Sequence, residues 1–303
     1  MRTETRALFN AYLGQLAKLN GIADASQKFA ATPAVEQKLE QRIQDTSAFL
    51  SRINLIGVDN QSGEKVGIEV GTTIASTTNT AGGGEREPQD PSNLDAHGYM
   101  CTQTNFDTAL RYAKLDAWRH FPDFQAKIRD AILKRQALDR LMIGFNGTSR
   151  AATSDRNANP LLQDVNVGWL QKWRQHAADQ VMNEVVEESG VVGYGPAAAA
   201  TYKTLDALVY DASQSLIEPW YRDSTELVAI VGRDMLHDKY FPLINQDHKP
   251  TEVQAMDLIL GAKRLGGLPA MRASGFPTGK ILITPLSNLS IYWLRGSRRR
   301  LVM

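Results

Sequence analysis

The sequence predicts an α+β chain in which one long helix is preceded by an N-terminal arm and a projecting β-hairpin and followed by a mixed α/β lobe. Three observations carry that expectation. Within Phe121–Phe145, the apolar residues Phe124, Ile128, Ala131, Ile132, Leu138, Leu141, Met142 and Phe145 recur at helical spacing. Charged residues, among them Lys127, Lys134, Arg135 and Arg140, fill the opposite face. Residues 53–111 alternate like β-strands on both sides of a polar tip rich in Gly, Pro, Asn and Thr. Beyond Thr204, helical and strand patterns take turns to residue 303.

The N-terminal 52 residues read as an arm. Phe9, Tyr12, Leu13, Leu16 and Leu19 share one side of a helix over residues 2–19, which Asn20-Gly21 ends. After the polar stretch ADASQKFAATP, a second helix starts at Pro33, with Thr32 placed to cap it. Val35, Leu39, Ile43 and Leu50 line its apolar face, and charges with two glutamines line the other. Two helices joined by small residues ahead of any strand need a partner to bury their stripes.

Strand patterns follow at INLIGV (53–58), KVGIEV (65–70) and TTIAST (72–77), with Gln61-Ser62-Gly63-Glu64 as the turn between the first two. The polar stretch 77–98 is too long for an unstructured loop inside a compact domain, which favours a hairpin that projects and leans on another subunit. From Met100 the alternation resumes, with Cys101, Gln103, Asn105 and Asp107 on one side and Thr102, Thr104 and Phe106 on the other. In the long helix, Pro122 suits the first turn, Asp130–Lys134 and Arg135–Asp139 pair four apart, and Gly144 with Asn146-Gly147 supplies the stop. A turn-rich loop, residues 146–160, leads to a short helix presenting Trp169 and Trp173. The later lobe reads as a helix from Leu205 ending before Pro219 and a buried strand at 227–232. Helices at 233–241 and 252–260 and strands at 268–274 and 280–286 follow, then a last strand or strand pair. The chain stops in strand-like sequence at Leu301-Val302-Met303, which suggests that the native product continues.

Bulk composition excludes several classes. The 34 basic and 33 acidic residues leave a net charge of +1, with no electrostatic footprint for nucleic acid or an anionic membrane. Cys101 is the lone cysteine, so neither a disulfide framework nor a multi-cysteine zinc site is open to this chain. No apolar run reaches the ~18–20 residues that span a bilayer, and the N-terminus lacks the pattern of a secretory signal. A soluble protein of a reducing compartment is expected. Catalytic motifs are equally scarce. Five histidines are scattered without metal-ligand spacing, and neither a nucleophile elbow nor a Walker-type phosphate loop is present. Cys101 reads as a packing residue, Gly82-Gly83-Gly84 as a loop tip, and Arg298-Arg299-Arg300 as solvated or paired charges at an edge strand. The nearest approach to an enzyme signature is Gly193-x-Gly195-x-x-Ala198, a dinucleotide fingerprint whose preceding Val191-Val192 is short for a buried strand. No catalytic residue, metal ligand or cofactor is expected.

Many separate stretches, in one order, carry a resemblance. The R-x-E-T-R arm with FNAYL, GEKVGI, IASTTNTAGG-x-ER-x-P, FQAKIRDAILKRQALD, GFNGTSRAATSDR, NPLLQDVNVGWLQKWR, LDALVYDA, LIEPWY, IVGRDML, DKYFP and NLSIYW together resemble the major capsid proteins of P2-like tailed temperate phages. Only residues 179–203 lack a clear match. The resemblance implies a Hong Kong 97-type capsid fold. Its parts would be an arm over 1–52, an extended hairpin loop over 53–111 and a peripheral domain with the spine helix over 112–159. An axial domain over 160–285 and return strands over 286–303 would complete it. It further implies that the first part of the arm, to about residue 29, acts as a scaffold-like propeptide that a prohead protease removes near Phe29 and Ala30. Pentamers and hexamers would close into an icosahedral head that expands on maturation and encloses double-stranded DNA through non-specific interior contacts, assembled in the host cytoplasm with a portal. Lys127, Lys134, Arg135, Arg140, Glu85 and Arg86 are the inter-subunit contact candidates, and no membrane is involved. Two other functions are weighed against this one: an encapsulin-type compartment, and a nucleotide-binding enzyme using the 193–198 loop.

Overall fold

A computed structural model of the chain describes residues 3–64, 75–86, 88, 98–109, 111, 113, 116–117, 124–184, 192–195, 200–245 and 263–302. Helix α1 (Thr3–Asn20) leads through the two-residue strand β1 (Phe29–Ala30) to α2 (Pro33–Asp45), β2 (Asn54–Val58), β3 (Ser62–Glu64) and β4 (Gly98–Met100). The long helix α3 (Phe124–Asn146) and α4 (Trp169–His176) follow, then α5 (Leu205–Ser215), α6 (Pro219–Arg222), β5 (Leu227–Val231) and α7 (Arg233–Ile244). Strands β6 (Arg264–Leu265), β7 (Leu268–Met271), β8 (Ile281–Pro285), β9 (Ser290–Leu294) and β10 (Arg299–Arg300) close the chain.

Helix α3 buries Leu133, Ala137, Leu141 and Phe145, a single i, i+4 row. The expected stripe lies slightly off this row: Ala131 is exposed, and Leu138 and Met142 are only half-buried. Hydrophobic spacing marks a wide arc, and the partners decide which part of it is covered. Those partners meet at Phe145, which makes edge-to-face contacts with Phe49 at 5.6 Å, Trp169 at 5.1 Å and Phe276 at 5.0 Å. Gly144 does not stop the helix as expected; it lies within it because a Cβ there would come 2.4 Å from the Trp169 ring. The helix ends two residues later, where the Asn146 amide donates to the carbonyls of Met142 and Gly275 at 3.0 and 2.6 Å. At Gly147 a Cβ would lie 2.0 Å from the Asn166 carbonyl, so the returning loop can close against the helix end only over glycine. The Arg135–Asp139 pair forms at 2.6 Å, but Asp130 pairs with Arg129 and reaches Arg42 of α2 instead of meeting Lys134.

Strand β5 is buried throughout, which explains its unbroken apolar run. Val228 and Ile230 face α3 in one core with Ile43, Leu50, Ile53, Leu282 and Leu289. Ala229 and Val231 face the other way, into a second core with Leu208 and Val209 of α5 and Met235, Leu236 and Tyr240 of α7. One strand therefore serves as the wall between two cores. Its sheet has the order β6-β7-β5-β8, with β5 parallel to β7 and antiparallel to β8.

The closing strands pair with the start of the chain. β9 runs parallel to β2 over five residues, from Asn54↔Ser290 to Val58↔Leu294, and β10 runs antiparallel to β1. This corrects two expectations in the hairpin region. Asn54–Val58 does not belong to the hairpin, and Ser62–Glu64 is not a turn but a strand that pairs with Gly98–Met100. A parallel partner leaves no mark on the local pattern, so β2 read as the first arm of its nearest neighbour. Of TTIAST, Ala75–Thr77 has no strand structure, while KVGIEV, Pro122 and the expected helix over 252–260 lie outside the described residues. After β4 the alternation persists in exposure, with Thr104 and Phe106 half-buried and Gln103, Asn105 and Asp107 exposed, although no strand forms. Leu19 is exposed at the end of α1, and Thr32 stands at the N-cap of α2 without a side-chain hydrogen bond, contrary to both expectations.

Substitution at two helical glycines separates packing from propensity. Gly144→Ala forces the Trp169 ring aside and should cost about 1–3 kcal/mol in chemical denaturation. Gly14→Ala in α1, where a Cβ meets nothing within 4 Å, should be neutral or stabilising.

Candidate functional site: a buried ionic junction between arm, spine and closing strands

The charged face expected on α2 is interrupted by two buried acids. Glu36 is 1 % exposed and Glu40 is 6 % exposed, one helical turn apart and in line with Ile43. Glu40 faces α3, where Arg140 holds it with both terminal nitrogens, Nη1 to Oε2 at 2.6 Å and Nη2 to Oε1 at 2.9 Å. From the other side, Arg298 places Nη2 2.8 Å from the same Oε1. Glu36 takes a different role: its Oε2 accepts the Gly296 N–H at 2.7 Å and its Oε1 accepts the Arg298 N–H at 2.8 Å. Two acids of one helix thus fix a spine-helix arginine, a closing-segment arginine and two closing-segment amides. Burial pushes the Glu40 carboxyl upward, but the Arg140 hydrogen bonds and the charges of Arg140 and Arg298 outweigh it and hold the group below its ordinary value. Burial chiefly pulls the Arg298 guanidinium below its ordinary value, with Glu40 opposing.

The structure sorts the sequence candidates. Arg140 is turned inward, its side chain only 14 % exposed, so it belongs to this junction instead of the outer face. Arg135 stays exposed while paired with Asp139. Lys127 and Lys134 lie seven residues apart on the exposed side of α3, with no ion pair among the described residues. Glu85 and Arg86 are exposed in the segment 75–86. Phe29 is buried and Ala30 exposed in β1, opposite Arg300 and Arg299. Of the triple arginine, Arg298 is therefore an internal ligand of Glu40, and Arg299 and Arg300 form an edge pair. Sequence reading missed Glu36 and Glu40, although acids at i and i+4 beside an apolar stripe were a visible signal.

Enzyme-like candidates find other roles. The Gly195 N–H donates to the Tyr202 carbonyl at 2.9 Å, and Tyr202 returns a bond to the Gly193 carbonyl at 3.2 Å. Among the described residues the helix that follows, α5, begins at Leu205, where the Thr204 hydroxyl accepts from the Ala207 N–H, ten residues beyond Gly195. Ala198 lies outside the described residues. Burial pushes the half-buried Cys101 thiol up, away from a reactive thiolate. Among the described residues no group of three or more His, Cys, Asp or Glu side chains is placed to hold a metal, and no helix is long and apolar enough to cross a membrane.

The junction makes stability depend on acid. Because the Glu40 pKa is lowered by folding, its contribution is complete above the ordinary carboxylate value of 4.5 and is lost as pH falls through the depressed folded value. Thermal unfolding followed from pH 6 downward should show a loss of stability below about 4.5 that is weaker in Glu40→Gln. Arg140→Ala, which leaves the buried Glu40 carboxylate to Arg298 alone, should cost about 2–3 kcal/mol at neutral pH in chemical denaturation.

Comparison with known proteins agrees in every direction. Residues 8–303 match the family model described as phage major capsid protein, P2 family. The chain is 52 % identical over 309 residues to a protein of Escherichia phage P2 named "Capsid proteins", spanning all of this chain and 86 % of that one. It is 41 % identical over 312 residues to the major capsid protein of Serratia phage KSP20, spanning all of this chain and 88 % of that one. A solved structure, the satellite phage P4 procapsid including size determination (Sid) protein, matches with a TM-score of 0.78 and 49 % identity over 97 % of this chain and 86 % of that chain. With the family matched along almost its whole length and the fold of a procapsid subunit around its ionic junction, the chain belongs to the P2 family of phage major capsid proteins, with a Hong Kong 97-type fold.

Proposed function

We propose that the chain self-assembles into pentamers and hexamers that close as an icosahedral phage head around double-stranded DNA. The observation that carries the reading is the exposed projection. Among the described residues β3 and β4 form an isolated two-stranded pair over Ser62–Glu64 and Gly98–Met100, and every residue from Ala75 to Arg86 is exposed. A two-stranded pair with no third strand is marginal in water, so in this reading the projection gains its stability by lying on a neighbouring copy. Folding of such parts is then coupled to association. Lys127 and Lys134 on α3, with Arg135, and Glu85 and Arg86 on the projection supply charges of both signs for contacts between copies. The near-neutral composition suits weak, sequence-independent contact with packaged DNA.

Maturation in this reading removes the N-terminal segment near Phe29 and Ala30 by a prohead protease, after which the shell expands. A portal completes the head, which is assembled in the bacterial cytoplasm. The solved procapsid that this chain resembles includes a size determination protein, and a partner of that kind is proposed to act on this shell too.

Electron microscopy of the expressed chain should show closed particles. Replacing residues 66–96 by a short Gly-Ser turn should leave a soluble subunit that forms none, and intact shells from that variant would sink the reading. Lys127→Glu combined with Lys134→Glu should lower particle yield without moving the thermal unfolding of the subunit.

A further inference from the structure

The closing segment, residues 296–302, is gripped from two sides. On one side α2 holds it through Glu36, which accepts the Gly296 and Arg298 N–H groups, and through Glu40, which pairs with the Arg298 side chain. On the other side it holds the N-terminal segment. The Ala31 N–H donates to the Arg298 carbonyl at 3.0 Å, and Ala30 and Phe29 pair with Arg299 and Arg300. Val302 then packs against a small core of Leu16, Ala17, Ala25 and Phe29. Phe29 and Ala31 are buried, at 7 % and 4 % exposed, on either side of exposed Ala30.

We infer that residues 298–302 form a latch that keeps the Phe29–Ala31 stretch closed to proteases and α1 docked until the latch lets go. A protease takes its substrate as an extended strand, with free backbone groups and side chains turned into its own pockets. Here three consecutive residues are already paired to another strand, and two of their side chains are in a core. Cleavage therefore waits on an opening event, and its rate follows the population of the open form. The grip on the α2 side makes the arrangement directional. When the latch opens, the closing segment stays with Glu36 and Glu40, and the N-terminal segment is the part that leaves. For its biological use this inference rests on the processing proposed above; the closed latch itself does not.

Chymotrypsin cuts after phenylalanine, so the Phe29–Ala30 bond reports on the latch directly. On the purified full chain, followed by mass spectrometry of the products, Val302→Asp and Arg300→Pro should each speed cutting at that bond about tenfold or more. The first puts a carboxylate into the small core, and the second removes an N–H from the strand pair. Leu301→Asp, at a position 46 % exposed, should leave the rate unchanged. Equal rates in the wild type and both latch variants overturn the latch. Hydrogen exchange on the wild-type chain tests it without any variant: the Ala31 amide should be protected, and exchange at the unprotected rate also overturns it. Coexpression with the phage's own prohead protease separates the two ideas. If chymotrypsin shows the expected acceleration while the N-terminus stays intact beside that protease, the latch stands and the processing reading fails.

Discussion

The contact on which the rest of the structure depends is the one between Glu40, Arg140 and Arg298. Three ionisable side chains at 7, 14 and 20 % exposure would be costly in isolation. They are tolerated because the Glu40 carboxylate is met from two sides at hydrogen-bond distance. The geometry couples segments that are 100 and more residues apart in sequence, and it admits little slippage. Moving α2 by one residue along its axis would turn Glu40 away from both arginines, and Glu36 would lose the Gly296 and Arg298 amides in the same step. The junction thus sets register as well as stability. It explains why the parallel pair β2–β9 can form between the two ends of the chain.

Around that junction the body is unusually well divided. β5 presents Val228 and Ile230 to the spine-helix core and Ala229 and Val231 to the second core. A substitution on either face is felt in one core through its side chain and in the other through the strand's position. Phe145, ringed by Phe49, Trp169 and Phe276, fixes the end of α3 against this wall. The pair β3–β4 meets this body where Tyr99 stacks on Tyr292 of β9, with ring centroids 4.6 Å apart and an interplanar angle of 3°.

Much of this was legible in the sequence, and the limits have physical reasons. Long helices announce themselves by the period of their one-sided burial, and the fully buried strand by its unbroken apolar run. Hence α3, α5, α7 and β5 fall where the pattern places them. Partners distant in sequence leave no such mark. The parallel match of Asn54–Val58 with Ser290–Leu294 was invisible, and proximity suggested a hairpin with the next β segment instead. Gly144 looked like a terminator because a bare helix position and a stop share one residue type; only Trp169 distinguishes them. Glu36 and Glu40 counted as surface charges because acids on a helix usually are. Their true partners, two backbone amides and two arginines, come from the far end of the chain.

The same partners revise the nature of the arm. Two N-terminal helices with apolar stripes were expected to need another chain, but α2 buries Ile43 in the main core and both acids in the junction. Helix α1 is different. Thr5 donates to Asp116 at 2.6 Å, and Leu16 and Ala17 join the small core with Phe29 and Val302, while Leu8 and Leu19 remain exposed. The division between an integrated body and a lightly held appendage therefore falls between β1 and Pro33, not at the end of α2. A segment that is to be removed must be one whose departure leaves the core closed. Loss of residues before Ala30 would uncover Val302 and the edge of β10, yet leave every atom of the Glu40 junction in place. The chain thus concentrates its strongest polar contacts immediately beyond the point at which the proposed processing would cut it.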